Sequence, residues 1–100
     1  MKYQRLFERG QVGCLETKNR IVMPAMGTNL PGCNGEVNEE IIRYYEERAE
    51  GGCGLIITEI TRVDDETGIG TPCQLCANHI RYIPGLERLA RRIHRYDTRI

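Results

Sequence analysis

The pattern that most constrains the fold is a helical stretch enclosed by two short apolar runs, all within residues 20–60. Apolar residues at three- and four-residue spacing give this stretch one stripe to bury: Ile41, Ile42, Tyr45 and Ala49. Asn38 is a suitable N-cap, and Gly51 and Gly52 end the helix. The flanking runs, residues 20–23 and 54–60, are typical of strands. Strand, helix and strand in this order predict a parallel pair with a right-handed crossover.

Further elements extend this unit on both sides. Alternation around Gly10 and Gly13 predicts a short hairpin ahead of the first strand, whose continuous apolar run at residues 21–23 is expected to be covered on both faces. A long loop is expected over residues 61–82. A second helix follows, with Pro84 in its first turn and one apolar stripe of Leu86, Leu89, Ala90 and Ile93. Residues 98–100 resemble the start of a third strand.

The fold class is therefore α/β, with a β-α-β-α-β order behind an N-terminal hairpin. This order does not close on itself, which indicates the front portion of a larger α/β fold. A (β/α)₈ TIM barrel needs about 250 residues, so residues 1–100 can supply only about its first third.

Charge and hydropathy exclude some classes of protein. Fourteen basic residues balance fourteen acidic ones, so no net field attracts the chain to nucleic acid or to a membrane surface. No apolar run approaches the ~20 residues of a membrane span, and "MKYQRLFERG" lacks the apolar core of a secretory leader. A cytoplasmic protein is expected. The second helix carries a basic face that raises a nucleic-acid alternative, but complementing the helix dipole is the favoured role of its arginines: Arg88, Arg91, Arg92 and Arg95.

Five cysteines, an odd number, argue against a disulfide framework. Cys73 and Cys76 form a lone Cys-x-x-Cys, which could be half of a metal site, a redox dithiol or simply two loop thiols. The last alternative is favoured, because further ligands at matching spacing are missing. His79 is close enough in sequence to be a third ligand, but a single loop histidine is more often solvated. No metal site is assigned.

Chemistry in parallel α/β folds lies where the strands end, here at residues 24–28 and 58–61. Pro24 removes a backbone donor, Ala25 and Gly27 permit close approach of a planar body, and Met26 offers a polarizable side chain. This composition suits the edge of a flavin, although it would equally suit a plain turn. Glu59 is either an acid or base, or a structural carboxylate, and the second is favoured. Neither Gly-x-Gly-x-x-Gly nor a Walker-type phosphate loop is present.

Three stretches carry a family resemblance: "LFERGQVGCLETKNRIVMPAMGTN", "EEIIRYYEERAEGGCGLIITEITRV" and "IPGLERLARRIH". In order and spacing they resemble the N-terminal region of the old yellow enzyme family of FMN-dependent NADH:flavin oxidoreductases, which includes enoate reductases and 2,4-dienoyl-CoA reductases. The resemblance implies a TIM barrel with FMN at the strand C-termini. It also implies flavin contacts at Pro24, Ala25, Met26, Gly27 and Ile60.

Two of these positions depart from the family pattern. Relatives often place a tuning side chain where Gly27 stands, a role that would fall to Thr28 here, and Ile60 replaces a residue that is usually small. The resemblance implies that the substrate-anchoring, proton-donating and FMN-phosphate residues would follow Ile100, so no catalytic residue is assigned.

The implied reaction is hydride transfer from NADH or NADPH through FMN to a small α,β-unsaturated substrate. The resemblance leaves open a 4Fe-4S domain in the C-terminal part and an oligomer. Two other hypotheses remain. One is a free-standing α/β module that binds a partner or copies of itself, and the other is a thiol-redox protein that uses Cys73 and Cys76.

Overall fold

The computed structural model describes residues 2–100, which form a set of short strands and two long helices. The strands are β1 (Gly10–Val12), β2 (Leu15–Thr17), β3 (Val22–Met23), β4 (Leu55–Ile56), β5 (Thr61–Arg62) and β6 (Leu75–Cys76). The helices are α1 (Glu39–Glu50) and α2 (Ile83–His94), and short 3₁₀ helices lie at Gln4–Phe7 and Ile80–Tyr82.

The predicted hairpin is present. β1 and β2 pair antiparallel, with Gly10 opposite Thr17 and Val12 opposite Leu15. Gly13 makes the turn at φ 58°, in the left-handed region that glycine adopts at little cost.

The strand–helix–strand unit is also present, with shorter strands than the sequence predicts. β3 and β4 pair in parallel, with Val22 opposite Leu55 and Met23 opposite Ile56. The predicted span of residues 54–60 is wrong in length, because only Leu55–Ile56 is strand. On the other side of β4, Leu55 forms an isolated parallel bridge with Arg99, where the sequence indicates a third strand.

Helix α1 follows the sequence prediction closely. The Asn38 side chain accepts a hydrogen bond of 3.0 Å from the Ile41 N–H, which caps the helix. The buried residues of α1 are the predicted stripe, Ile41, Ile42, Tyr45 and Ala49. The chain leaves the helix through Gly51 and then Gly52, whose φ of 113° is favourable only for glycine.

Helix α2 packs on α1 and uses part of its basic face to do so. Leu89 and Ile93 are buried in the shared core. Arg92 contacts Glu39 at 2.6 Å and Glu46 at 3.3 Å, both on α1. This arginine therefore joins the two helices.

The core lies on one side of the β3–β4 pair only. Met23 and Ile56 are buried against the helices, whereas Val22 is 46% exposed and Ile57 49% exposed. The expectation that the first strand is covered on both faces is wrong for this chain, because both helices pack on the same face.

The region expected to be one long loop contains a second parallel pair. β5 and β6 align Thr61 with Leu75 and Arg62 with Cys76. Two-residue strands leave no periodicity in the sequence, which is why this pair escapes prediction. Within residues 2–100, neither helix combines the length and the apolar character that crossing a bilayer requires.

Candidate functional site

The two segments that leave β3 and β4 run side by side. The Ile57 N–H donates to the Met23 carbonyl at 3.0 Å, directly where β3 ends. Beyond this point the segments after β3 and β4 stay in contact, because Thr28 donates to Glu59. The two strand ends that the sequence singles out are therefore brought together.

Glu59 joins these segments. Its Oε2 accepts the Thr28 backbone N–H at 2.9 Å and also the Thr28 hydroxyl, while the Leu30 N–H donates to that hydroxyl oxygen at 3.1 Å. Glu59 is only 2% exposed, and its Oε1 has no hydrogen-bond partner among the described residues. The sequence favours a structural carboxylate over an acid or base, and these contacts make Glu59 a carboxyl group that positions the segment after β3.

Tyr45, on helix α1, hydrogen-bonds the backbone of Glu59. The Glu59 N–H donates to the Tyr45 hydroxyl oxygen at 2.7 Å. Burial raises the pKa of Tyr45 to about 12, an effect larger than the opposing effect of this hydrogen bond. The stripe pattern predicts that Tyr45 is buried, but nothing in the sequence signals its contact with Glu59.

The residues predicted to contact a flavin form an open surface beside this link. Pro24, Ala25 and Gly27 are exposed, and Met26 and Ile60 are 48% and 47% exposed. A Cβ added at Gly27 would meet no atom within 4 Å outside its chain neighbours. Among the hydrogen bonds of residues 2–100, none uses the backbone N–H of residues 25–27. This surface offers apolar side chains and free backbone donors to a bound group.

The predicted flavin contacts do not line the cavity beside the hairpin. A cavity of about 510 Å³ lies beside the hairpin, where its lining includes Gln11, Asn19 and Val22, and none of the five predicted flavin contacts lines it. The predicted contacts therefore form an open wall rather than an enclosed pocket.

The two cysteines of the Cys-x-x-Cys stretch have different surroundings, and the favoured prediction of two loop thiols is wrong for one of them. Cys76 is not a loop thiol, because it is buried in β6 and its Sγ accepts from Arg62 at 2.9 Å. Cys73 instead contacts Cys33, with their sulfur atoms 2.7 Å apart. The His79 Nδ1 accepts the Arg81 N–H. Across residues 2–100, no three histidine, cysteine or acidic side chains gather in an arrangement that could hold a metal ion.

Comparison with known proteins assigns this arrangement to a class. The sequence profile of the NADH:flavin oxidoreductase / NADH oxidase family matches residues 5–100. The chain is 43% identical to an NADH oxidase of Thermoanaerobacter brockii, in an alignment that covers 98% of this chain and 15% of that protein. It is 36% identical to cinnamate reductase of Clostridium sporogenes, over 99% of this chain and 16% of that protein.

Solved structures agree with this result. The chain superposes on a 2-naphthoyl-CoA reductase with a TM-score of 0.90 and 28% identity, over 96% of this chain and 14% of that one. It superposes on the old yellow enzyme of a Pichia species with a TM-score of 0.84 and 26% identity, over 94% of this chain and 24% of that one.

These superpositions show that the chain has part of the old yellow enzyme fold, as the sequence resemblance implies. The chain belongs to the NADH:flavin oxidoreductase / NADH oxidase family. It spans about 15% of the length of the curated relatives described above.

Proposed function

We propose that residues 1–100 form the N-terminal part of an FMN-binding (β/α)₈ barrel domain. In this arrangement β3, β4 and the segment from Thr98 are the first three barrel strands. The parallel β3–β4 pair and the Leu55–Arg99 bridge support this order. The exposed side chains of Val22 and Ile57 support it too, since the interior of such a barrel is filled by side chains from all its strands. The same exposed apolar face argues against a free-standing module.

The proposed contacts for the ring of FMN are residues 24–27 and Ile60, and the observation that carries this proposal is their exposure together with unbonded backbone N–H groups. Met26 and Ile60 offer exposed apolar contacts. The backbone N–H groups of residues 25–27 are free to donate to ring oxygen or nitrogen atoms. Pro24 has no N–H and sets the direction in which the chain leaves β3.

Thr28 is not available to tune the flavin in place of a side chain at position 27. Its hydroxyl donates to Glu59 and accepts from Leu30. We infer instead that Thr28 and Glu59 hold residues 24–27 in place, so that their backbone donors are fixed before the cofactor binds.

In the full-length protein, the chemistry that FMN supplies when bound is hydride transfer from NADH or NADPH to a small α,β-unsaturated substrate. Relatives named cinnamate reductase and 2-naphthoyl-CoA reductase support a small organic acceptor. Within this chain, the assigned residues bind and orient the cofactor. No catalytic residue is assigned, and an oligomer and a 4Fe-4S domain stay predictions for the full-length protein.

The test is the absorbance spectrum of the purified full-length protein. We expect flavin absorption, release of FMN on denaturation as identified by mass, and bleaching when NADH or NADPH is added without oxygen. A colourless protein that takes up no added FMN would contradict the proposal. The matched control is a chain of residues 1–100 alone, which we expect to retain no FMN because it forms only one wall of the site.

A further inference from the structure

Two thiols outside the flavin surface lie against each other. Cys33 and Cys73 are forty positions apart in sequence, yet their sulfur atoms are 2.7 Å apart. Cys33 is exposed and Cys73 is half-buried, so small reagents in solution can reach the pair. A disulfide joins its sulfur atoms at about 2.0 Å. The two sulfur atoms are therefore within about 0.7 Å of that bond length.

The backbone around both cysteines is fixed, which makes the contact a built feature of the fold. The Cys73 N–H donates to the Asn29 side-chain oxygen at 3.1 Å. The Cys76 N–H donates to the Gly35 carbonyl at 3.0 Å. The loop after β3 and the segment that enters β6 are thus joined on both sides of the thiol pair.

Gly35 shows how closely these segments approach. Its φ is 82°, and a Cβ added there would lie 2.1 Å from the Cys76 sulfur. Only a residue without a side chain allows this approach. Cys76 itself is buried and bonded to Arg62, so Cys33 is the thiol positioned to meet Cys73.

We propose that Cys33 and Cys73 form a thiol–disulfide modification site that covalently ties residues 24–38 to the segment before β6. The pairing differs from the redox dithiol of Cys73 and Cys76, which the sequence leaves only as an alternative. The proposed disulfide does not depend on FMN binding, because neither thiol belongs to the flavin surface.

The oxidant is a low-molecular-weight disulfide such as oxidised glutathione. The Cys33 thiolate attacks one of its sulfur atoms, the disulfide bond of glutathione breaks, and one glutathione leaves as a thiolate. Cys73 then loses its proton to solvent and attacks the Cys33 sulfur, which releases the second glutathione. Two protein thiols are oxidised to one disulfide, and one glutathione disulfide is reduced to two thiols.

The order of attack follows from the exposure of the two thiols, because Cys33 is exposed and Cys73 is half-buried. A small disulfide therefore reaches Cys33 first. The hydrogen bond between the thiols raises the pKa of the Cys73 thiol. Reduction by excess glutathione or dithiothreitol reverses both steps.

Peptide mapping of the full-length protein tests the site. The protein is incubated with oxidised glutathione or with dithiothreitol, alkylated, digested with trypsin and analysed by mass spectrometry. Cleavage gives residues 21–43, which contain only Cys33, and residues 63–81, which contain Cys73 and Cys76. We expect these two peptides linked, with a mass lower than their sum by two hydrogens, only in the oxidised sample. Fragment ions that break the chain at Gln74 then assign the link to Cys73.

Serine variants give the matched comparison. Cys33→Ser and Cys73→Ser should each abolish the linked peptide, whereas Cys14→Ser, which removes another exposed thiol, should leave its yield unchanged. Hydrogen exchange of residues 24–38 should slow on oxidation in the wild type and not in Cys73→Ser. The proposal is overturned if both peptides stay unlinked in oxidised wild-type protein, if each carries its own glutathione, or if the link joins Cys33 to Cys76.

Discussion

The Thr28 hydroxyl is the atom through which the segment after β3 is fixed, and Thr28→Val tests this role. Valine keeps the shape of the side chain and removes both hydrogen bonds of the hydroxyl, to Glu59 and from Leu30. Removing one partner from a buried polar group costs about 1–3 kcal/mol, and Glu59 is almost fully buried. Taking about 2 kcal/mol, local opening becomes roughly 30-fold more frequent.

Hydrogen exchange followed by mass spectrometry measures this opening in the full-length protein. We expect the amides of Thr28 and Leu30, in a peptide over residues 24–38, to exchange roughly 30-fold faster in Thr28→Val. Exchange in α2 should not change. Thr28→Ser keeps the hydroxyl and should restore most of the protection.

Two results would refute this reasoning. Exchange in Thr28→Val that equals the wild type would mean that the hydroxyl fixes nothing. Equal loss of protection in the serine and valine variants would mean that the hydrogen bonds of the hydroxyl are not sufficient to hold the segment.

Two further predictions concern stability of the full-length protein. Tyr45→Phe removes a group whose folded pKa of about 12 lies above its ordinary value of 10.0. The stabilisation that the neutral hydroxyl contributes is complete below pH 10 and is lost as pH rises towards 12. The difference in free energy of unfolding between wild type and Tyr45→Phe, measured by thermal unfolding, should therefore fall by up to about 3 kcal/mol across this range. A difference that does not change with pH would contradict this prediction. Gly35→Ala should lower the free energy of unfolding by roughly 2–4 kcal/mol, because the new Cβ meets the Cys76 sulfur in a left-handed conformation. Gly32→Ala, where the nearest atom is 3.9 Å away, is the control, and equal effects would refute the steric argument.

The parts of the fold that follow from the sequence are those that depend on neighbours in the chain. The stripe of α1, its Asn38 cap and its glycine end are local, and the structure confirms each of them. Pro84 likewise lies in the first turn of α2. The hairpin at Gly13 needs only a few residues and is confirmed for the same reason.

The features that escape prediction depend on residues distant in sequence. The β5–β6 pair consists of two-residue strands, too short for a pattern. Glu59 and Thr28 are 31 positions apart, and Cys33 and Cys73 are forty apart, so neither contact has a local signal. The exposed face of Val22 could not be predicted either, because an apolar run in a sequence does not show which segment covers it.

The measurement that tests the central claim most directly is FMN affinity of the full-length protein with an altered flavin surface. Met26→Asp places a carboxylate where the ring should pack, and Ile80→Asp places one at another exposed apolar position, on the 3₁₀ helix at Ile80–Tyr82. After the cofactor is removed, titration with FMN followed by its fluorescence gives Kd for each variant. We expect Met26→Asp to raise Kd by about tenfold or more, equivalent to at least about 1.4 kcal/mol, and Ile80→Asp to leave it unchanged. Equal affinity in wild type and Met26→Asp would contradict the assignment of residues 24–27 to the flavin.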